Sequence, residues 1–558
     1  YKTVDQVRFQ EKNDLKPFDD YNCVIFLTGV SVPGKYLGGK PISYRELHNW
    51  GRNQPKTYTI LCGPATKFGI GQEGGKPSRS VEGLMPFFDL ILYEDAEIAL
   101  RKLFQKWPRE FVEICLSKNN PTVESPIILP KSLPEWESLQ NLKRLSMRDL
   151  RNLAIKGPEL LISQHPNFNQ HPAGNLICEI ETFRGCPRYH TGGCRFCIEP
   201  MKGQTQHRPI QDILDEFLAL YRVGVRHFRL GAQTDFYAFH HGEYDHPKYP
   251  RPNPEAISEL LRGIRRMCPN LQTLHIDNVN ALNFSLYPEE AKKITELIVT
   301  YCTSGNVAAI GVESIDPQVI KMNNLKASGS EIENAIQVIN QLGKSVGDNG
   351  IANFLPGLNF IMGLPGETQE SLAISYNFLQ SIYNKGYLVR RINLRKFLVP
   401  TTTDPSTRKW VSKHMQKFQS KYFHWKTQIR ESIDQPMLKR VFPFGRILKQ
   451  VYAEKHEGHA TLCRQVGTYP ITCYVPKLLP LYQFSDLIVV NYGFRSLVCL
   501  ENPVELIKLS KKGLEAIDGI GKKRAMAIQS ISPHSQSEWI KMDPIIQDIR
   551  SLLETDSK

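Results

Sequence analysis

The chain has 558 residues, too many for a single hydrophobic core, so three or four domains are expected. Its apolar fraction of 41% and charged fraction of 23% are those of an ordinary globular protein. No run of about eighteen apolar residues is present to span a membrane as a helix, so no membrane partner is expected.

A formal charge of +14 describes a basic surface, either simply solvated or matched to a polyanion such as a phosphate backbone. Twelve cysteines do not make a dense disulfide framework in a chain of this size. Cys23, Cys62 and Cys178 sit singly in apolar runs, where a thiol acts as a small buried hydrophobe. This usage fits a reducing cytoplasm, and a cytoplasmic location is expected.

Residues 1–120 alternate short apolar runs (YNCVIFLTGV, TYTILCGPAT, FFDLILYEDA) with helical spacing, which predicts a small Rossmann-like α/β domain. Residues 121–172 are rich in proline and then amphipathic, a helical linker. Over 173–400 six strand candidates alternate with amphipathic helices: NLICEIE, HFRLGAQ, TLHIDNV, VAAIGVES, LNFIMGL and RRINLRKF. Six βα units in series predict a parallel sheet closed, or partly closed, into a barrel. Residues 401–440 form a basic helical segment, 441–502 a small β-barrel-like module, and 503–558 a helical end. The fold class is therefore α/β with a small all-β appendage.

Cys186, Cys194 and Cys197 are spaced C-x7-C-x2-C directly after the first strand of the long βα series. Three thiolates on one loop can ligate three irons of a cubane and leave the fourth iron open. A Cys3His zinc site, with His190 from inside the loop, is an equal alternative on spacing alone.

The motifs at the following strand ends resemble the radical S-adenosylmethionine (SAM) superfamily. Its usual cysteine loop is C-x3-C-x2-C, four residues shorter than this one. Phe196 occupies the aromatic position whose backbone meets the adenine of SAM. Gly231, Ala232 and Gln233 stand where the family often carries Gly-Gly-Glu for the methionine amino group, with the acid missing here. NVAAIGVESIDP resembles the fifth-strand motif, with Gly311 near the adenine and Glu313 supporting the strand end. LNFIMGLPGET resembles the sixth, in which Gly363 and Gly366 let the backbone approach the adenine and Glu367 begins the next helix. His275, Asp277 and Asn278 end the intervening strand within reach of the ribose or the substrate. The resemblance, over roughly 174–400, implies a [4Fe–4S] cluster that cleaves SAM reductively to a 5′-deoxyadenosyl radical, with an electron donor such as ferredoxin or flavodoxin. It does not name a catalytic side chain.

The N-terminal domain resembles the cobalamin-binding or methylthiotransferase-like domains that precede such cores. The cobalamin fingerprint Asp-x-His-x-x-Gly is absent, and Cys23, Cys62 and Cys115 lack the surroundings of a second cluster, so a structural role is favoured while either cofactor stays open. Residues 401–455 carry twelve Lys or Arg against four Asp or Glu, interleaved with aromatics. They form either a packed helix pair or a surface that tracks phosphates and stacks bases. The segment 441–500 resembles the RNA-binding barrel of methylthiotransferases. Near the end, Ile517 to Lys522 read as a helix-hairpin-helix: Gly519 and Gly521 permit a tight hairpin, and Lys522 and Lys523 add charge toward a phosphate. The arrangement resembles archaeal radical SAM enzymes with a C-terminal helix-hairpin-helix.

The expected function is radical modification of a nucleotide in RNA, tRNA first. A radical enzyme acting on a protein side chain or small metabolite, and a non-catalytic nucleic-acid-binding metal protein, stand as alternatives.

Overall fold

A computed structural model of the chain describes residues 2–13, 15–29, 41–54, 56–70, 78–106, 108–119, 136–165, 168, 176–397, 399, 403–530 and 543–553. It opens with three parallel strands, β1 (Cys23–Leu27), β2 (Tyr58–Cys62) and β3 (Leu90–Ile91), in that spatial order. The run FFDLILYEDA yields only the two residues of β3, because its Phe87 ends a 3-10 helix, Val81–Phe87, and Tyr93 N–H turns to the Gln140 carbonyl. Of the expected linker, Trp136–Gln140 and Arg151–Leu161 are helical, while 120–135 lie outside the described residues.

The central region contains β4 (Ile177–Glu181), β5 (Phe183–Arg184), β6 (Gln206–His207), β7 (His227–Gly231), β8 (Thr273–Ile276), β9 (Asn278–Val279), β10 (Asn306–Glu313), β11 (Phe354–Met362) and β12 (Arg391–Lys396). β4-β7-β8 and β9-β10-β11-β12 are both parallel sheets. Only Asp277 separates β8 from β9, so the two sheets follow one another as a six-position arc, with no ladder between β12 and β4 among the described residues. β5 and β6 form a separate antiparallel brace beside the cysteine loop.

Strand parity decides what each side chain faces. Phe228, Leu230, Leu274, Ile276, Ala308, Ile310, Leu358, Phe360, Ile392 and Leu394 belong to the apolar core shared with the covering helices. Their neighbours Arg229, His275, Asp277, Ala309, Gly311, Gly357, Asn359, Arg391 and Asn393 therefore face the lumen. The helix Gly329–Gly343 shows the local logic: Ile332, Ala335, Ile336 and Ile339 recur on one face and are fully buried. It ends where a Cβ on Gly343 would lie 2.1 Å from the Phe354 carbonyl oxygen, so only glycine allows that approach to β11.

A basic helix, Pro405–Ile429, continues through a π-helical turn into Gln435–Val441. Tyr422, Trp425 and Phe442 are core residues, and of the interleaved aromatics Phe423 stays largely exposed. The strands β13 (Ile447–Glu457), β14 (Ala460–Gln465), β15 (Thr472–Val475), β16 (Phe484–Tyr492) and β17 (Ser496–Glu501) close into a five-stranded barrel of order β13-β14-β15-β17-β16. The β15–β17 pair is parallel and the others antiparallel. The helices Lys511–Glu515, Lys522–Gln529 and Pro544–Leu553 dock on the outer face of this barrel through Leu514, Ile517, Ile520, Ala525, Ile528, Ile546 and Ile549.

The helix Gly329–Gly343 is capped by Ser328 and Glu331 in a reciprocal capping box. Ser328→Ala is expected to cost about 1 kcal/mol, seen as a lower denaturation midpoint at unchanged slope; no shift in midpoint would show that the cap contributes nothing.

Candidate functional site

The three clustered cysteines lie at the C-terminal end of the arc, beside β4. Cys186 and Cys194 are buried and Cys197 is half-buried. Each sulfur accepts an N–H: Arg188 backbone N–H to Cys186 Sγ at 3.3 Å, Arg188 Nη1 to Cys194 Sγ at 3.3 Å, and Glu199 N–H to Cys197 Sγ at 3.5 Å. Donors aimed at sulfur favour thiolates, the ligand form for iron, and tune a cluster that they hold. Burial first, then neighbouring negative charge, pushes these thiols up, Cys197 to about 12, against the pull of Lys326. Burial also pushes the Lys326 ammonium down, yet the charges of Cys194, Cys197, Glu313 and Cys186 outweigh it and hold its pKa above the ordinary value. This donor set fits a cubane bound through three thiolates. His190, the fourth ligand a zinc site would draw on, is exposed and packs edge-on against Tyr189 and Tyr244.

The four extra residues of the loop are accommodated by one clamp. Arg188–Gly193 turns through a short 3-10 helix, Tyr189–Thr191, and Asn324 holds both ends. Arg188 donates to the Asn324 carbonyl at 3.0 Å and to its side-chain oxygen at 2.9 Å; Asn324 Nδ2 donates to the carbonyls of Thr191 and Gly193. Arg195 N–H meets the Asn323 carbonyl, and Asn323 in turn reaches Pro365 after β11. From the other side Asp95 pairs with Arg184, and Arg144 bridges Asp95 and Glu181, fixing β4 and β5 to the N-terminal unit.

Around the mouth, the sequence-derived positions divide. Glu179 Oε1 accepts Ala232 N–H at 2.8 Å, and a Cβ on Gly231 would lie 2.1 Å from that oxygen, so a larger residue there would displace the Glu179 carboxylate from this bond. Ala232 and Glu313 both hold positive φ, 55° and 60°, a conformation disfavoured for side chains with a Cβ and often kept at sites. A Cβ on Gly311 would meet Glu313 Oε1 at 2.5 Å and Lys326 Nζ at 3.8 Å, which sets Gly311, Glu313 and Lys326 side by side near the thiols. Burial pushes the Glu313 carboxyl up to about 7 despite Lys326 and Arg395, and its Oε2 has no partner. Phe196 packs, half-buried, with Cys194, Val319 and Leu364. Gly363 and Gly366 have positive φ and lie against the sulfurs of Met415 and Met322.

Three expectations are corrected. The Gln233 side chain is folded inward onto Thr182 and the Leu230 carbonyl, so it is spent and offers nothing to an amino group; its backbone carbonyl receives Asn278 Nδ2 at 2.8 Å. Glu367 does not begin the next helix, which starts at Gln369 with Thr368 as cap; Glu367 instead accepts Gly363 N–H at 3.1 Å and faces His414. His275 and Asp277 turn to the small barrel, not to a free mouth: His275 accepts Thr468 N–H at 3.0 Å, and Asp277 pairs with Arg229 and accepts Tyr469 O–H at 2.7 Å. The sequence reading passed over Arg188, Asn324 and Lys326. Only Arg188 carried a signal, as a cation inside the cysteine loop.

The helix-hairpin residues lie apart from this mouth. Gly519 has φ 84°, Gly521 caps the helix Lys522–Gln529, and Lys522 and Lys523 are exposed. The open surface hollows beside Arg101 and beside Glu290 gather no groups from strand ends.

Asn324→Ala removes the side-chain acceptor of the buried Arg188 guanidinium and the two donors to Thr191 and Gly193, leaving only the backbone carbonyl bond, a loss of about 1–3 kcal/mol by unpaired polar groups. Cys194 of the reduced, metal-free protein is expected to alkylate faster than in the parent, measured by mass spectrometry of the labelled peptide. Equal rates would show that the clamp does not hold the loop.

A family model described as the radical SAM superfamily matches residues 180–379. An uncharacterized protein of Archaeoglobus fulgidus is 36% identical over 527 residues, covering 93% of this chain and 86% of that protein. A tRNA-2-methylthio-N(6)-dimethylallyladenosine synthase of Buchnera aphidicola is 25% identical over 313 residues, 55% of this chain and 64% of the synthase. A ribosomal protein uS12 methylthiotransferase of Carboxydothermus hydrogenoformans is 27% identical over 272 residues, 45% and 53% of the two chains. Among solved structures, the radical S-adenosylmethionine methyltransferase TsrM of Kitasatospora setae aligns over 63% of this chain and 64% of its own at 12% identity, with a TM-score of 0.35. The chain belongs to the radical SAM superfamily: it is an enzyme of that kind, working with a [4Fe–4S] cluster and S-adenosyl-L-methionine.

Proposed function

We propose that Cys186, Cys194 and Cys197 hold the cluster and that the enzyme modifies a nucleotide in RNA, tRNA before other RNAs. The observation that carries the first part is the convergence of three N–H-bonded sulfurs beside Lys326 and Glu313 at the strand C-termini, where barrels assemble their chemistry. When bound, the cluster and SAM supply a radical able to abstract hydrogen from an unactivated carbon. The chain's own residues do the rest. Arg188 and Lys326 balance thiolate charge, and the backbone at Gly231, Ala232, Gly311, Gly363 and Gly366, with Phe196, walls the space for SAM. Glu313 and Asn278 offer polar groups toward its amino and ribose ends. Gln233 is left out of that set.

The RNA part rests on the two modules beyond the core. The barrel order β13-β14-β15-β17-β16, with β15 and β17 parallel, is the connectivity of the oligonucleotide-binding fold, whose β14–β15 face in this chain carries Arg464 and the exposed ring of Tyr474. Docked on its back, the turn with Gly519 and Gly521 presents backbone N–H groups beside Lys522 and Lys523, a helix-hairpin-helix suited to phosphates. The N-terminal Rossmann-like sheet serves as a structural brace of the cysteine loop through Asp95. The relative that is a tRNA-2-methylthio-N(6)-dimethylallyladenosine synthase supports tRNA; the ribosomal protein uS12 methylthiotransferase supports a second reading, a protein side chain. A one-electron donor such as ferredoxin or flavodoxin is required in either case.

Two outcomes test this. Anaerobically purified protein is expected to carry iron and sulfide and to cleave SAM on reduction, and each Cys→Ala substitution at 186, 194 or 197 is expected to abolish cleavage; zinc at that loop, or retained cleavage, ends the assignment. Mass spectrometry of total tRNA nucleosides from cells with and without the gene is expected to show one altered nucleoside. An unchanged nucleoside profile together with an altered ribosomal protein would transfer the substrate to the second reading.

A further inference from the structure

The loop between β14 and β15 leaves the small barrel and enters the lumen of the parallel arc. Thr273 Oγ1 donates to the Val466 carbonyl at 3.0 Å, Thr468 N–H donates to His275 Nδ1, and Arg390 donates to the Tyr469 carbonyl at 3.1 Å. Tyr469 adopts φ 56°, and its hydroxyl donates to Asp277. Its ring carries the Arg391 guanidinium at 4.0 Å and the Arg229 guanidinium at 5.7 Å.

These residues share one level of the arc. The registers align Glu179 with Arg229 and His275, and Asn278 with Ala309, Gly357 and Arg391. Small residues on β10 and β11 make the level hollow, and a Cβ on Gly357 would lie 2.9 Å from Arg391 Cγ, so the glycine admits the Arg391 stem. Tyr469 fills part of that hollow and closes it from below. Above it the facing residues are Asn359 and Asn393, then Glu313, Lys326 and Arg395 near the thiols.

At this level two arginines face two carboxylates, but Arg229 takes both, pairing with Asp277 and lying 3.8 Å from Glu179. Asp277 is taken by Arg229 and Tyr469, and Glu179 by Ala232 N–H. Arg391, half-buried, makes no ion pair among the described residues; Arg395 and Arg495 repel it, and Asp277, already paired with Arg229, attracts it only from a distance. Ordinary barrel interiors at this depth are filled with branched apolar side chains, and an uncompensated enclosed cation is costly. We infer that the β14–β15 loop completes the reaction chamber, Tyr469 forming its floor, and that Arg391 receives an anionic group, phosphate or carboxylate, on the substrate moiety that enters it. Arg391 and Arg395 are four residues apart on one strand, so the anion lies roughly 13 Å below the mouth, the length of one extended nucleoside or a comparable side chain. The inference rests on reading the mouth as the radical centre, but not on RNA as the substrate.

The test uses the anaerobic, cluster-loaded enzyme with SAM bound, titrated calorimetrically with inorganic phosphate and separately with acetate. One equivalent of at least one anion is expected to bind, phosphate indicating a phosphorylated group and acetate a carboxylate. In Arg391→Gln that affinity is expected to fall about tenfold to a hundredfold, in Arg391→Lys by less, and in Tyr469→Phe to change little because the stacked ring remains. The idea is overturned if neither anion binds the unsubstituted enzyme, a result that needs no variant to fold. It is also overturned if Arg391→Gln binds the anion as well as its parent, or if it instead loses affinity for SAM. Iron content and SAM cleavage of the unsubstituted enzyme report on the radical centre independently, so failure of one reading is separable from failure of the other.

Discussion

Three cysteine sulfurs gathered in one loop, two of them buried, would as thiolates repel one another and lose hydration, and the surroundings of the loop answer that cost. Positive charge must come close, yet it must not be able to swing away. Arg188 meets both demands because it is part of the loop it neutralises, and Asn324 holds its guanidinium from two sides. Lys326, two residues further along the chain from Asn324, approaches the thiols beside Gly311 and Glu313. One short segment after β10 thus supplies the clamp and the second cation together, and the register of β10 in the arc sets the position of both. The four residues by which this loop exceeds the usual family spacing form the turn on which Arg188 and the clamp depend.

Charge placement also explains why the N-terminal unit is attached where it is. Asp95 would be an isolated buried acid in a free-standing three-stranded unit; here it pairs with Arg184, two residues before Cys186, and with Arg144, which reaches Glu181. Burial alone would raise the Asp95 carboxyl, and the hydrogen bonds from Arg144 and Arg184 bring it below the ordinary carboxylate value. A buried network of this sort is weak evidence for net stability, but removal of one partner strands the others, so it specifies a single docking geometry. The cysteine loop is braced from both flanks.

Much of the central fold was legible because the covering helices need an apolar partner on every strand. Leu274 and Ile276, or Ile392 and Leu394, alternate with polar residues in the period of a strand with one face against the helices and one toward a wet lumen. The cysteine loop was legible for a different reason: three reactive side chains within twelve residues are rarely accidental. What could not be read was the fate of the polar face. His275 and Asp277 stand at a strand end where substrate contacts are expected, and nothing near them in sequence shows that Thr468 and Tyr469, almost two hundred residues away, occupy them. Gln233 misled for a local reason, since Ala232 at positive φ rotates the following side chain inward. The apolar run around Leu90 promised a full strand and gave two residues, because Phe87 at its start ends a 3-10 helix and Tyr93 turns away to the Gln140 carbonyl.

The two barrels are therefore not independent parts joined by a helix. A small barrel that served only to hold a polynucleotide would present its loops to solvent, and insertion of one of them would add strain at Tyr469 and remove polar groups from water. Instead the β14–β15 loop finds partners on the arc: the Val466 carbonyl and Thr468 N–H on β8, the Tyr469 hydroxyl at Asp277 and its carbonyl at Arg390 just before β12, with Thr468 Oγ1 left unpaired among the described residues. The closed barrel is thereby tied through this loop to the polar face of the arc. The outer module and the polar face of the arc are in this way joined by direct hydrogen bonds as well as by the chain between them.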